Sequence, residues 1–420
     1  MPESSQPFHF PAVRHPKFDV SARPFIVIWE VTRACDLACA HCRAEAMPQR
    51  SLAELTTDEG RTLIDQIVAF GQPSPLLVLT GGDPMKRPDL VELVAYASSH
   101  HVPVAFSPSA TPLLTPDVLR ELRAAGLKAI SLSVDGASDS VHDAFRGIDG
   151  VFARTMAAWD AALELGLKVQ VNTTVAKLNL WNLPAIAHIL RQRRAMTWSV
   201  FFLVPVGRGT QLEQITPQEC EDVMNFVYDA GLAIAAKTTE GHHFKRVVLE
   251  RIVLTRLGLD PAQTLGLGPT YRELRARLGW ACSGELARRT PMDVNAGRGF
   301  VFVSHVGTVH PSGFLTASAG NVRIKSLNEI YRASRLLNNL RDASLLGGRC
   351  GQCEFVSVCG GSRSRAFATT GDALAEDPLC AYQPHSFPFQ KELAQLMATG
   401  ASRRAEAGMN LPREGTHELQ

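Results

Sequence analysis

Residues 25–46 read FIVIWEVTRACDLACAHCRAEA, an apolar run followed at once by cysteines at 35, 39 and 42. The run reads as a β-strand ending near Val31, so the three thiols stand on the loop that leaves it. Spacings of four and three put Cys35, Cys39 and Cys42 on one side of a curled loop, able to reach three corners of a cubane. A zinc knuckle is the alternative. Structural zinc takes four ligands, however, and the one neighbour, His41, is adjacent to Cys42 and poorly placed to converge. Three thiolates suit an iron–sulfur cluster with one iron left for another ligand.

Outward from this stretch, the chain alternates short apolar runs with longer amphipathic ones. The apolar runs are 25–31, LLVLT (76–80), VPVAFS (102–107), AISLSV (129–134), KVQVNTTV (168–175) and WSVFFLV (198–204). They are rich in Val, Ile, Leu and Phe without strict alternation, which predicts parallel strands covered on both faces. Between them lie helical stretches such as TTDEGRTLIDQIVAF (56–70) and TPDVLRELRAAG (115–126), opened by Thr or Pro and closed by Gly. Six strand–helix units predict an α/β chain with a partial (β/α)6 TIM-type barrel, two units short of closure. Chemistry in such folds sits at the C-terminal ends of the strands, where the three cysteines lie.

The remaining boundaries follow. Residues 1–24 are an extended lead-in, 25–235 the barrel core, and 236–296 a connecting region with a helix around 245–257. A small cysteine-rich domain takes 297–390, opening with a hairpin over 299–315 and a helix over 326–342. The polar tail 391–420 is expected to be disordered. The net charge of +2 over 420 residues gives no reason to expect nucleic acid as a partner. No apolar stretch approaches the roughly 18 residues of a membrane span, and no apolar signal core opens the chain, which points to the cytoplasm. Cysteines grouped at metal-ligand spacings agree with that compartment.

The second group, GRCGQCEFVSVCGGSRSRAFATTGDALAEDPLC (348–380), supplies Cys350, Cys353, Cys359 and Cys380. Four thiolates close one [4Fe–4S] cluster, and four also suit zinc. Cys220 falls in an amphipathic helix and reads as a buried structural thiol. Cys282 stands apart and is a second candidate for the fourth ligand.

CxxxCxxC directly after strand one of a βα-barrel resembles the signature of the radical S-adenosylmethionine (SAM) superfamily. That resemblance implies a SAM-binding [4Fe–4S] cluster held by three cysteines, reductive cleavage of SAM and hydrogen abstraction from a substrate. LTGGDP (79–84) is similar to the family's Gly-Gly-Glu motif, which implies SAM binding by Gly81, Gly82 and Asp83. By the same resemblance Ser133 would contact the ribose and Arg146 the SAM carboxylate. Asn172, with Thr174, would lie near the adenosine, and Val204 would pack on the adenine. The second cysteine group resembles the SPASM/Twitch module, which implies an auxiliary [4Fe–4S] cluster. Arg363 and the HPSGF run stand where the full pattern has further cysteines, so one auxiliary cluster is expected.

Within the superfamily, GFVFVSHVGTVHPSGF and the second cysteine group resemble the enzymes of heme and heme d1 biosynthesis. This implies an oxidoreductase or lyase that decarboxylates or removes a side chain on a tetrapyrrole, fed by a donor such as flavodoxin or ferredoxin. Arg363 and Arg365 could then meet substrate carboxylates, or balance the charge of the cluster beside them. His242, His243 and His310 could ligate a porphyrin metal, or be solvated or capping residues. A peptide-modifying maturase is the alternative enzyme. The two dozen residues before strand one leave no room for a fused leader-peptide-binding domain, which counts against it. A non-enzymatic electron carrier or zinc module is the third reading, and it leaves the ordered SAM-like motifs unexplained.

Overall fold

The computed structural model describes residues 13–280 and 290–398. Strand–helix units follow in the order β1 (Ile26–Thr32), α1 (Thr57–Val68), β2 (Leu76–Gly81), α2 (Leu90–Ser99), β3 (Val104–Phe106) and α3 (Pro116–Ala124). Then come β4 (Ala129–Ser133), α4 (Asp139–Arg146), α5 (Val151–Glu164), β5 (Lys168–Val175), α6 (Leu183–Gln192), β6 (Thr197–Phe202) and α7 (Pro217–Ala230). The helix starts obey their local sequence. Thr56 with Glu59, and Thr216 with Glu219, form reciprocal capping boxes that satisfy the first free N–H groups of α1 and α7.

The sheet is larger than the sequence suggests. Its order is β10-β9-β8-β1-β2-β3-β4-β5-β6-β7, with β7 (Ala236–Thr239), β8 (Phe300–Val303), β9 (Thr308–His310) and β10 (Gly320–Asn321) added to the six. Strand β7 pairs parallel with β6, and β8 pairs parallel with β1, Ile26 opposite Phe300. Residues expected in the connection and in the second domain thus extend the barrel wall. Only β9 and β10 run antiparallel, and the ends β7 and β10 do not pair, so the barrel stays open there.

Burial along the strands corrects the expectation of two covered faces. In β5, Val169, Val171, Thr173 and Val175 are buried while Gln170, Asn172 and Thr174 are half-buried, and β2 and β4 alternate likewise. One face packs on the helices around Trp29, Trp159 and Trp198; the other lines a lumen that remains accessible. The alternation is invisible in β1 and β2 because their lumen face carries Ile26, Ile28, Leu76 and Val78, as apolar as the covered face.

The helix α8 (Phe244–Leu257) carries Leu249, Val253 and Leu254 into a second small core with Phe355, Val358, Phe387, Leu393 and Leu396. Residues 390–398 are helical, so the disordered tail expected from 391 does not begin there. No helix among the described residues is long and apolar enough to cross a membrane.

Candidate active site

The loop after β1 is held on three sides by backbone. Gly82 N–H donates to Thr32 O (2.8 Å) and Asp83 N–H to Ala34 O (2.6 Å), zipping the end of β2 onto the cysteine loop. Ala40 N–H donates to Phe145 O (2.9 Å), and Arg208 N–H, just past β6, donates to Cys42 O (3.0 Å). A Cβ on Gly82 would stand 2.5 Å from Ala34 O, and one on Gly207 2.5 Å from Cys42 O. The glycines are required because backbone meets backbone there. Gly81 is under the same constraint against Thr32 O, at 2.4 Å. The Gly-Gly pair thus shapes the loop that carries the thiols. Gly207 and Arg208 escaped the sequence reading, although a Gly-Arg pair just past a strand end was its signal.

The thiol of Cys35 is buried, 3.6 Å from Ser109 Oγ, and accepts from Leu37 N–H. Burial pushes its pKa up. Arg146 Nη1 lies 3.7 Å from Cys39 Sγ, and Nη2 pairs with Asp135, itself buried and accepting from Thr174 N–H (2.7 Å). The guanidinium fork expected to grip a carboxylate is therefore divided between Asp135 and Cys39. A buried carboxylate needs a partner, and Asp135 claims this one. Asp83 is also occupied: Oδ2 accepts from Thr111 Oγ1 (2.6 Å) and Oδ1 from Met85 N–H (3.1 Å). Its first role is to fix the turn after β2, and burial raises its pKa. Ser133 and Asn172 are register partners on β4 and β5, with Asn172 Oδ1 accepting from Gln170 Nε2 (2.8 Å). Val204 is buried just past β6.

Several donors around the loop have no acceptor. Nδ1 of His41, Nε of Arg146, and Nε and Nη2 of Arg208 are buried without a hydrogen-bond partner. Burial, and then the charges of Arg146 and Arg208, hold His41 well below its usual pKa. Three thiols beneath unsatisfied, largely cationic donors fit an anionic cluster and an acceptor-rich ligand such as SAM.

The second cysteine group gathers on one cavity, lined by Cys350, Cys353, Cys359 and Cys380 together with Arg246 and Arg349. Cys282 lies outside the described residues. Burial pushes the Cys353, Cys359 and Cys380 thiols up to about 12. Asp377 N–H donates to Cys350 Sγ and Gly361 N–H to Cys359 Sγ, both at 3.4 Å. Arg363 Nη2 lies 3.6 Å from Cys350 Sγ. Four thiols with N–H and guanidinium donors on their sulfurs fit a fully ligated cluster. The sulfurs surround the cavity: among the described residues, no three Cys, His, Asp or Glu groups converge on one metal-ion position.

The possibility that Arg363 and Arg365 meet substrate is overturned. Both are fully buried. Arg363 donates to the carbonyls of Ala373 and Ala375. Arg365 pairs with Asp377 (3.0 Å) and donates to the carbonyls of Phe202, Leu203 and Glu240, capping the ends of β6 and β7. His243 is likewise committed, with Nε2 on Asp377 (2.8 Å) and Nδ1 on Met224 Sδ (3.4 Å). Beside these residues, Glu240 accepts from Ser312 (3.0 Å), Ser362 and Ser364 (2.8 Å), bridging the open edge of the barrel. Cys220 is buried in α7, as its sequence predicts.

On the lumen side, Arg43 follows Cys42, pairs with Glu30 (3.1 Å) and lies over the Phe302 ring at 4.5 Å. Glu30 also holds His305 Nδ1 (3.0 Å). Phe201 of β6 and Phe314 stand 6.4 Å apart, and His310 faces Phe302 at 6.1 Å. The pocket beside the three thiols is thus partly aromatic and partly cationic.

Residues 29–189 match the family model described as the radical SAM superfamily. The chain is 36% identical over 363 residues to the AdoMet-dependent heme synthase of Methanosarcina barkeri, covering 86% of this chain and 97% of that one. It is 30% identical over 374 residues to the Fe-coproporphyrin III synthase of the same organism, covering 87% and 89%. Among solved structures, SuiB of Streptococcus suis bound to S-adenosylmethionine superposes with a TM-score of 0.61 at 14% identity, covering 86% of this chain and 78% of that one.

Proposed function

The chain belongs to the radical SAM superfamily, and on that basis we propose that it oxidatively trims carboxylate side chains of an iron tetrapyrrole, in the manner of a heme synthase. The observation that carries this reading is the 36% identity extending over 97% of a protein named AdoMet-dependent heme synthase. The likeness to SuiB concerns the fold alone and brings no peptide substrate with it. The lumen, with the half-buried Phe201 and Phe314 for a flat ring and Arg43 at its rim, supports the same substrate class.

In this reading Cys35, Cys39 and Cys42 hold the first cluster, and Cys350, Cys353, Cys359 and Cys380 hold the auxiliary one. When bound, SAM at the three-thiolate cluster supplies a 5′-deoxyadenosyl radical, and the four-thiolate cluster supplies a one-electron acceptor. The chain's own residues position and shield. Gly81, Gly82 and Gly207 shape the loop that carries the three thiols. Arg146 keeps positive charge on Cys39, and Asp135 fixes Arg146. Ser133 ends β4, Asn172 is its neighbour on β5 and Val204 follows β6, where the ribose and adenine are expected. Arg208 and His41 offer donors to whichever acceptors SAM presents. A reductant of the flavodoxin or ferredoxin type completes the cycle.

The test is anaerobic incubation of the reduced, reconstituted enzyme with SAM and iron-coproporphyrin III, followed by mass spectrometry. The expected products are 5′-deoxyadenosine and a porphyrin lighter by one CO2 and two hydrogens per propionate converted. Formation of 5′-deoxyadenosine with no change in porphyrin mass would overturn the substrate assignment.

A further inference from the structure

We propose that His310 is the axial ligand to the iron of the tetrapyrrole, an inference that rests on the substrate reading above. His310 closes β9, paired with Phe302 of β8, so the two side chains share a face of the sheet. Its Nδ1 lies 3.1 Å from Ala317 O. A carbonyl only accepts, so Nδ1 carries the proton and the lone pair is on Nε2. Nε2 has no well-formed hydrogen bond among the described residues, the Thr316 carbonyl lies close to the ring as a second acceptor, and the residue is only half-buried. An imidazole tied by one N–H to a backbone carbonyl, its other nitrogen free, is the arrangement that orients histidine for a metal.

Placement supports the same conclusion. His310 faces Phe302, Phe302 lies under Arg43, and Arg43 follows Cys42, so two contacts separate this imidazole from the cysteine loop. A macrocycle bound through its iron at His310 would rest in the lumen with its rim toward the SAM end. Burial keeps the His310 pKa below its usual value, so the ring is neutral and its lone pair available near pH 7. Two other histidines are held differently. His243 has both nitrogens occupied by Asp377 and Met224. His305 Nδ1 is held by Glu30, whose other oxygen binds Arg43. The coordination is a lone-pair donation from Nε2 to iron and transfers no electron.

The experiment titrates reconstituted enzyme, without reductant, with ferric iron-coproporphyrin III. Electronic absorption and electron paramagnetic resonance follow the iron. Wild type is expected to give a histidine-ligated porphyrin spectrum. His310→Ala should lose it and bind at least ~10-fold more weakly, the scale at which metal sites respond to lost support. Added imidazole should restore the spectrum, and His305→Ala should keep it. His310→Gln serves as a second variant if His310→Ala does not fold, with iron content and thermal unfolding as the check. A wild-type spectrum in His310→Ala or His310→Gln overturns the assignment while leaving the function intact, as does loss of the signal in His305→Ala alone. If wild type binds no iron porphyrin, this inference and the tetrapyrrole reading both fall.

Discussion

Arg146 touches Cys39 with one arm of its guanidinium and Asp135 with the other, so a single half-buried cation serves both a thiol of the cysteine loop and a buried carboxylate. The arrangement ties the end of α4 to the loop after β1 and to the turn after β4. It also makes Arg146 costly to replace.

Substituting Arg146 by Met strands Asp135 as a buried, unpaired charge. Stability should fall by ~3–5 kcal/mol. Asp135→Asn in the same background should recover part of that loss, because the two residues are coupled. Thermal unfolding of the four members of the cycle checks this. Additive losses would show that the pair is not the determinant. SAM cleavage should stay low in both Arg146 variants.

Iron content should separate the two cysteine groups. Wild type reconstituted anaerobically should hold ~8 Fe per chain, and Cys39→Ala or Cys359→Ala ~4 each. Only Cys39→Ala should abolish 5′-deoxyadenosine formation altogether. Zinc in place of iron at the second group would refute the auxiliary cluster and leave the first untouched.

Gly207→Ala tests the backbone contact that shapes the loop. The new Cβ meets Cys42 O at 2.5 Å, and φ is +53°, where side chains are strained. Destabilisation of ~1–3 kcal/mol is expected. Iron should be lost from the three-cysteine site while the four-cysteine site still fills. Equal loss at both sites would indicate general misfolding instead.

Glu250 gives a pH signature. It is fully buried, with Oε2 accepting from Arg246 (2.7 Å) and Oε1 unpartnered. Burial raises its pKa to about 8, against the pull of Arg246 and with the repulsion of Glu221. A raised folded-state value means its stabilising share is complete below the unfolded pKa near 4.5 and is lost as pH rises toward 8. Glu250→Gln should flatten the stability profile between pH 5 and 8, and be more stable than wild type at pH 8 by on the order of 2 kcal/mol. Chemical denaturation at several pH values measures it. A wild-type slope retained in the variant would exclude Glu250 as its source.

What could be read from the sequence was what is local in it. Cys35, Cys39 and Cys42 declare themselves by spacing, the six strands by composition, and Gly81-Gly82 by place. Long-range pairings were hidden. Nothing near residue 236 or residue 300 announces that β7 and β8 join opposite sides of one parallel sheet. Arg146 was legible as a cation near the site, but its partner Asp135, eleven residues earlier, was not. Arg363 and Arg365 suggested substrate contacts because charge near a site invites that reading. Their burial, and the carbonyls at the ends of β6 that Arg365 caps, exist only once the chain has folded. Arg208 was missed for a related reason: an unsatisfied buried nitrogen is a property of packing, not of residue type.

The unpaired edge between β7 and β10 has an evolutionary consequence. A closed barrel takes its diameter from strand number and shear, so changing the bore means rebuilding the whole sheet. Here the last gap is laced by one carboxylate, Glu240, and three serines from the hairpin and the cysteine-rich segment. Their replacement by longer or shorter side chains would widen or narrow the chamber without disturbing any strand register. A scaffold of this kind can move between substrates of different girth by a few substitutions along one seam, its radical-generating end left as it is.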